Sequence, residues 1–138
     1  MKVMIEGGKV MIEGGKVVSE EHLLASVLSL ADGNTIGDLP PRTVLKLVLT
    51  PTARSAINVE VWLPDAELWN SRFVGLGNGG AAGWINPAGL AQHIRGGYAV
   101  ATTDMGTAPN ADSGIGNPEV WKDFGFRATH LMTVAAKQ

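Results

Sequence analysis

The chain contains no cysteine. Disulfides, thiolate metal sites and a cysteine nucleophile are therefore excluded. It also lacks any Lys/Arg-rich run and carries a net charge of −2, so the basic footprint of a DNA- or RNA-binding protein is missing. No stretch of about 18 apolar residues is present to span a bilayer, so no membrane role is expected. The opening MKVMIEGGKV has no secretory core, because Glu6 and a Gly-Gly pair interrupt the apolar run. The expectation is a cytoplasmic protein, or one whose natural N-terminus is a different one.

What remains is an ordinary globular composition, 45% hydrophobic and 17% charged over 138 residues. That suffices for one domain with one core. The N-terminus carries an exact tandem repeat, VMIEGGK, at 3–9 and again at 10–16. Seven residues is too short for a solenoid unit, which needs about 20 or more. Gly-Gly in each copy opposes a helical heptad. Short strands joined by Gly-Gly turns are one reading. The preferred reading is a local duplication without chemistry, which places residues 1–18 outside the core and the domain proper at 19–138.

Ser19 as N-cap, Glu20 and Glu21 in a first turn, and Leu23, Leu24, Val27, Leu28 and Ala31 on one face predict a helix over 20–31. GDLPPR then forms a linker. Residues 43–50 and 57–63 alternate as strands around the turn TPTARSA, which predicts an antiparallel hairpin. A short strand, 73–76, leads into glycines. Asn86 and Pro87 predict the start of a helix over 87–95, and Gly96-Gly97 its end. YAVATT, 98–103, is an apolar run suited to a buried parallel strand. Asn117-Pro118 starts a last helix that buries Val120, Phe124, Ala128, Leu131 and Ala135, with Asp123 and Arg127 paired across one turn. No stop signal precedes Gln138, so this helix is expected to be cut short. A hairpin followed by strand, helix, strand and helix is the opening of an α/β fold.

Chemistry concentrates in RFVGLGNGGAAG, 72–83. Glycine is costly to order, so five in twelve residues need a reason. One reason is an oxyanion hole, in which backbone N–H groups meet a tetrahedral intermediate and side chains would obstruct it. Another is a tight strand-to-helix crossover. A third is dinucleotide binding, since Gly75, Gly77 and Gly80 match G-x-G-x-x-G/A, although Pro87 starts the helix late. Asp104 ends a buried strand and could act as an acid, but an aspartate at a strand end more often binds its own backbone. His22, His93 and His130 have no metal-ligand spacing. The serines are Ser19, Ser26, Ser29, Ser55, Ser71 and Ser113, and none sits in G-x-S-x-G. Ser113, in NADSGIG, comes nearest, but no strand leads into it and no helix follows directly.

Three segments together resemble the tannase/feruloyl esterase family of α/β-hydrolases: VEVWLPDAELWNSRFVGLGNGGAAGWIN, GYAVATTDMG and NPEVWKDFGFRATHLMTVAAK. The resemblance implies an incomplete α/β-hydrolase-like sheet, with the antiparallel hairpin first and then parallel strands with helices. It implies a serine esterase acting through an acyl-enzyme on galloyl, feruloyl or similar aromatic esters. It also implies a lid domain, often with calcium, and frequent secretion. Gly79 and Gly80 match the family's oxyanion loop. The family's nucleophile lies in a Cys-Ser-x-Gly-Gly elbow beyond the FRATHLMTVAAK helix, and its acid and histidine lie later still. No catalytic residue, metal ligand or cofactor therefore transfers to this chain, which is expected to be an inactive N-terminal fragment. Thr107 stands where relatives commonly carry histidine. The small aromatic ester belongs to the full-length parent, and exposed sheet edges suggest self-association. The rival reading is a non-catalytic small α/β binding or structural domain derived from a hydrolase.

Overall fold

Residues 57–61 alternate buried and less buried, and the break in that alternation at Trp62 decides the layering. Ile57, Val59 and Val61 are buried on one face, while Trp62 is buried on the other. A strand with apolar side chains on both faces needs a cover on each side. The computed structural model, which describes residues 3–6, 9–12, 14–108, 110 and 112–138, with side chains from residue 14 onward, supplies both covers.

In chain order the strands are β1 (Val3–Glu6), β2 (Lys9–Ile12), β3 (Gly15–Leu23), β4 (Ser26–Ser29), β5 (Thr35–Leu39), β6 (Arg42–Leu49), β7 (Ile57–Pro64), β8 (Phe73–Gly75) and β9 (Ala99–Thr103). Helix α1 (Pro87–Arg95) joins β8 to β9. Helix α2 (Pro118–Lys122) runs through a π-helical turn, Asp123–Arg127, into α3 (Ala128–Ala136). One sheet has the order β1-β2-β3-β6-β7-β9-β8, and β4 and β5 form a separate antiparallel pair. All neighbours in the large sheet are antiparallel except β8 and β9, which are parallel. Helix α3 covers Leu47, Leu49, Ile57, Val59, Val61 and Ala101 with Ala128 and Met132. Helix α1 covers Val44, Trp62 and Val100 with Leu90, Ala91 and Ile94.

The hairpin forms as expected, with β6 and β7 paired from Arg42↔Pro64 to Leu49↔Ile57. The helix at 87–95 has its expected bounds, and the Asn86 side chain accepts from Gly89 N–H. Asn117 does not cap α2; its amide donates to Arg54 O at 2.9 Å. In the last helix Val120 and Ala128 are buried as expected, and Met132 is buried with them.

The helix expected over 20–31 is absent. Residues 15–23 form β3, paired with β6 through Glu20↔Leu45, Glu21↔Val44 and His22↔Thr43, and residues 26–29 form β4. The reason is tertiary. Without β3, one edge of the buried strand β6 would leave its backbone groups unpaired. An N-cap is worth about 1 kcal/mol, which cannot outweigh a whole ladder. The expected helical face divides accordingly: Leu23 and Leu28 pack on the core, while Leu24 and Val27 are 74% and 60% exposed. Strand β3 also runs across residues 18 and 19, and Val17 packs against the core.

Candidate active site

Because β8 and β9 are parallel, their C-terminal ends open on the same rim of the sheet, where open α/β sheets bind ligands. The glycine-rich loop follows β8, and the loop beginning at Asp104 follows β9. Leu76 N–H donates to Ala101 O at 2.8 Å and extends the pairing by one step. Thereafter the first loop is held from outside. Gly83 N–H donates to Asp104 O at 3.0 Å, and the Thr107 hydroxyl donates to Ala81 O at 2.6 Å. Within the loop, Ala82 N–H donates to Gly79 O at 3.1 Å and the Asn78 side-chain amide donates to Trp84 O at 3.2 Å.

The amides of Gly77, Asn78, Gly79, Gly80 and Ala81 donate to no acceptor among the described residues. An amide left without an internal partner must find water or a ligand. Gly80 and Gly83 need glycine for their backbone, with φ of 58° and 83°. Gly79 has no such need: a Cβ built there meets nothing within 4 Å, and its φ is not in the left-handed region. Two non-glycine residues are also left-handed on this rim, Ala82 (φ 57°) and Met105 (φ 63°). Each costs on the order of 1–3 kcal/mol, and such strain collects where a loop is held in a functional shape.

Asp104 is a structural corner. Its Oδ1 accepts from Asn58 N–H at 3.0 Å and from Gly106 N–H at 2.8 Å, and its Oδ2 accepts from the Asn58 side-chain amide at 2.6 Å. The carboxylate is fully engaged in shaping the turn, which favours the turn-forming reading over the acid. Asn58, 46 residues away in the chain, had no sequence signal tying it to this corner.

The glycines do not deliver a phosphate to a helix. Helix α1 starts at Pro87 and its first turn is already capped by Asn86, while Gly75 is small because Met132 Cε lies 3.2 Å from where its Cβ would be. The histidines are dispersed over β3, α1 and α3. His22 shares a hydrogen bond with Asp65, the His93 ring bonds Gly89 O, and His130 is exposed. No cluster of metal-ligating side chains occurs among the described residues. The Ser113 hydroxyl is buried without a hydrogen-bond partner, so no base reaches it. Ser71 is left-handed (φ 64°), but it precedes β8 and lies at the strand end away from the glycines. Ser55 is bound to Thr52 and Arg127. A cavity of about 480 Å³ lies at that same far end, lined by Leu63, Pro64, Trp69, Phe73, Ala99 and Ala136. Its lining is mostly apolar, with Lys137 and Gln138 as its polar members, and it lies away from the glycine loop.

The π-helical turn seats a part-buried network around the buried Asp123. Arg127 Nε donates to Asp123 Oδ1 at 2.5 Å, and Arg127 Nη2 donates to Glu119 Oε2 at 2.8 Å and to Ser55 Oγ at 3.0 Å. Burial works against the Arg127 cation, but Asp123 and Glu119 more than offset it and hold its pKa above the ordinary value. Lys122, and then Arg127, keep the Glu119 carboxyl below its ordinary value.

Comparison with known proteins places this architecture. Probable feruloyl esterase B-2 of Aspergillus flavus is 39% identical over 93 residues, which cover 67% of this chain and 18% of that protein. The crystal structure of feruloyl esterase B from Aspergillus oryzae superposes with a TM-score of 0.81 at 29% identity, over 92% of this chain and 26% of that one. A second esterase structure from Aspergillus oryzae gives a TM-score of 0.82 at 26% identity, over 93% of this chain and 27% of that one. The chain thus spans about a fifth to a quarter of the length of these relatives. The model of the tannase and feruloyl esterase family matches residues 43–138, the hairpin, the parallel pair and both rim loops included, and the chain belongs to that family.

Proposed function

We propose that this chain carries the oxyanion loop of an α/β-hydrolase-type serine esterase acting on phenolic esters, with Gly79 and Gly80 N–H as the donors. The full protein's serine would attack the ester carbonyl. The charge that develops on the carbonyl oxygen would be met by the two amides, and water would then release the acyl group. The observation that supports this best is the pair of unpartnered amides, on a strained loop at the rim of the parallel strands, in a member of this family. Glycine at 79, required neither by φ nor by a close neighbour, fits a space kept for substrate.

The nucleophile, acid and base of the reaction lie outside residues 1–138 in this proposal, and Ser113 has no part in it. The magnitudes follow. One oxyanion donor is worth on the order of 10²–10³ in rate. Without a triad, even an intact site retains only about 10³–10⁴ over water.

The chain is therefore expected to show no turnover of methyl ferulate or an aryl gallate. Turnover abolished by Ser113→Ala would overturn this. Residues 43–138 grafted in place of the matching segment of the Aspergillus oryzae feruloyl esterase B should support hydrolysis. In that chimera Gly79→Pro, which removes one N–H, should lower kcat by about 10²–10³. An unchanged kcat would remove Gly79 from the site.

A further inference from the structure

Asparagine is thermolabile because the backbone nitrogen of the next residue can attack its side-chain carbonyl carbon. The attack is easiest where the next residue has no Cβ to crowd the ring, its amide is not engaged elsewhere, and the side chain is loosely held. Asn78 is the one asparagine of the chain followed by glycine. The Gly79 amide donates to no acceptor among the described residues. Gly79 is exposed, and a Cβ built there meets nothing within 4 Å, so a ring has room to close. One long bond holds the Asn78 side chain, from Nδ2 to Trp84 O at 3.2 Å. Its Oδ1 is buried without a partner, which disfavours the present rotamer against others.

The Asp32–Gly33 step offers the same dipeptide chemistry, and there the fold closes it. Gly33 N–H donates to Leu30 O at 3.0 Å. Both Asp32 oxygens accept from Asn34, its N–H and its side-chain amide, each at 2.9 Å. These bonds, the backbone one first, hold the Asp32 carboxyl below its ordinary value, and a carboxylate resists attack. Asn86 and Asn117 precede proline, which has no N–H to lose, and Asn34 and Asn70 precede residues that carry a Cβ.

We propose that Asn78–Gly79 is a self-modification site, converting through a cyclic imide to aspartate and isoaspartate with water as co-reactant. Gly79 N bonds to Asn78 Cγ, the Cγ–Nδ2 bond breaks, and Nδ2 leaves as ammonia with the amide proton. Water then opens the ring at either carbonyl. While the imide stands, Gly79 has no N–H. Once it opens, the new carboxylate cannot donate to Trp84 O, and the isoaspartyl product adds a carbon to the backbone. Under the oxyanion reading, on which only this consequence rests, the loop loses a donor or its aim.

Ageing the full chain in mildly alkaline buffer, with peptide mapping by mass spectrometry, tests the conversion. The tryptic peptide 73–95 should first lose the mass of ammonia, then carry acid at 78, and react with an isoaspartyl methyltransferase. Asn78 should convert in the folded chain at a rate near that in urea, whereas Asp32 should isomerise in urea only. Gly79→Pro has no N–H and should abolish the conversion. Gly79→Ala, which the space and the backbone there accept, should slow it, and melting curves check that each variant folds. An Asn78 that survives in the folded chain but converts in urea would overturn the proposal. So would a Gly79→Ala chain that converts as fast as wild type, or Asn34 or Asn70 converting first. The map reads no turnover, so its failure leaves the oxyanion reading untouched.

Discussion

At the scale of the residue, Glu119 shows how a partly covered carboxylate is tied to its surroundings. It receives Lys122 Nζ at 2.8 Å and Arg127 Nη2 at 2.8 Å, which keep its carboxyl below the ordinary value near 4.5. A depressed folded-state pKa stabilises the protein above the unfolded value, and that stability is lost as pH falls through the folded one. Acidification from about pH 5 to about pH 3 should therefore lower the urea midpoint, and Glu119→Gln should flatten part of that fall. Parallel pH profiles in the two proteins would reject the linkage. The sequence displayed some of these single-residue interactions. The Asn86 cap and the Asp123–Arg127 pair lie within one helical turn, so their spacing shows them. The Asn58–Asp104 contact spans 46 positions and exists only because β7 lies beside β9. The left-handed backbone of Ala82 and Met105 had no sign either, because neither residue type favours it.

The segment around residue 20 makes the corresponding point for whole elements. Local chemistry there writes a helix start, with a serine, two acids and an amphipathic spacing, yet the chain runs as β3 between β2 and β6. The distinction can be measured. Proline is welcome at the first position of a helix and harmful inside a paired strand. Glu21→Pro, still in the first turn of the helix expected after Ser19, should cost on the order of 1–3 kcal/mol in chemical denaturation, as the loss of a ladder donor opposite Val44 requires. A neutral result would return the segment to the helical reading. Elements whose pattern agreed with their surroundings were legible: the hairpin, α1 and β9 appear where alternation, capping and apolar runs place them. The π-helical turn at Asp123–Arg127 was not, since spacing suited to an ordinary helix also admits one wider turn.

For the molecule as a whole, the element order gave the α/β class, but the strand order β1-β2-β3-β6-β7-β9-β8 could not be read from it. Sequence spacing names a loop; only the topology shows that β7, from the antiparallel half, borders the parallel pair and carries the fixings of the rim. Asn58→Ala leaves Asp104 Oδ2 without its partner, at a cost of about 1–3 kcal/mol. Amide hydrogen exchange should then quicken at Gly83, whose acceptor is the Asp104 carbonyl, while the α1 core amides remain protected. Unchanged exchange at Gly83 would break the connection. The glycine loop has little anchorage of its own, since its two outside moorings, at Gly83 and at Ala81, both lead to the Asp104 turn. Its amides therefore take their bearing from the far end of the hairpin, and substitutions on β7 could steer them without altering a single glycine.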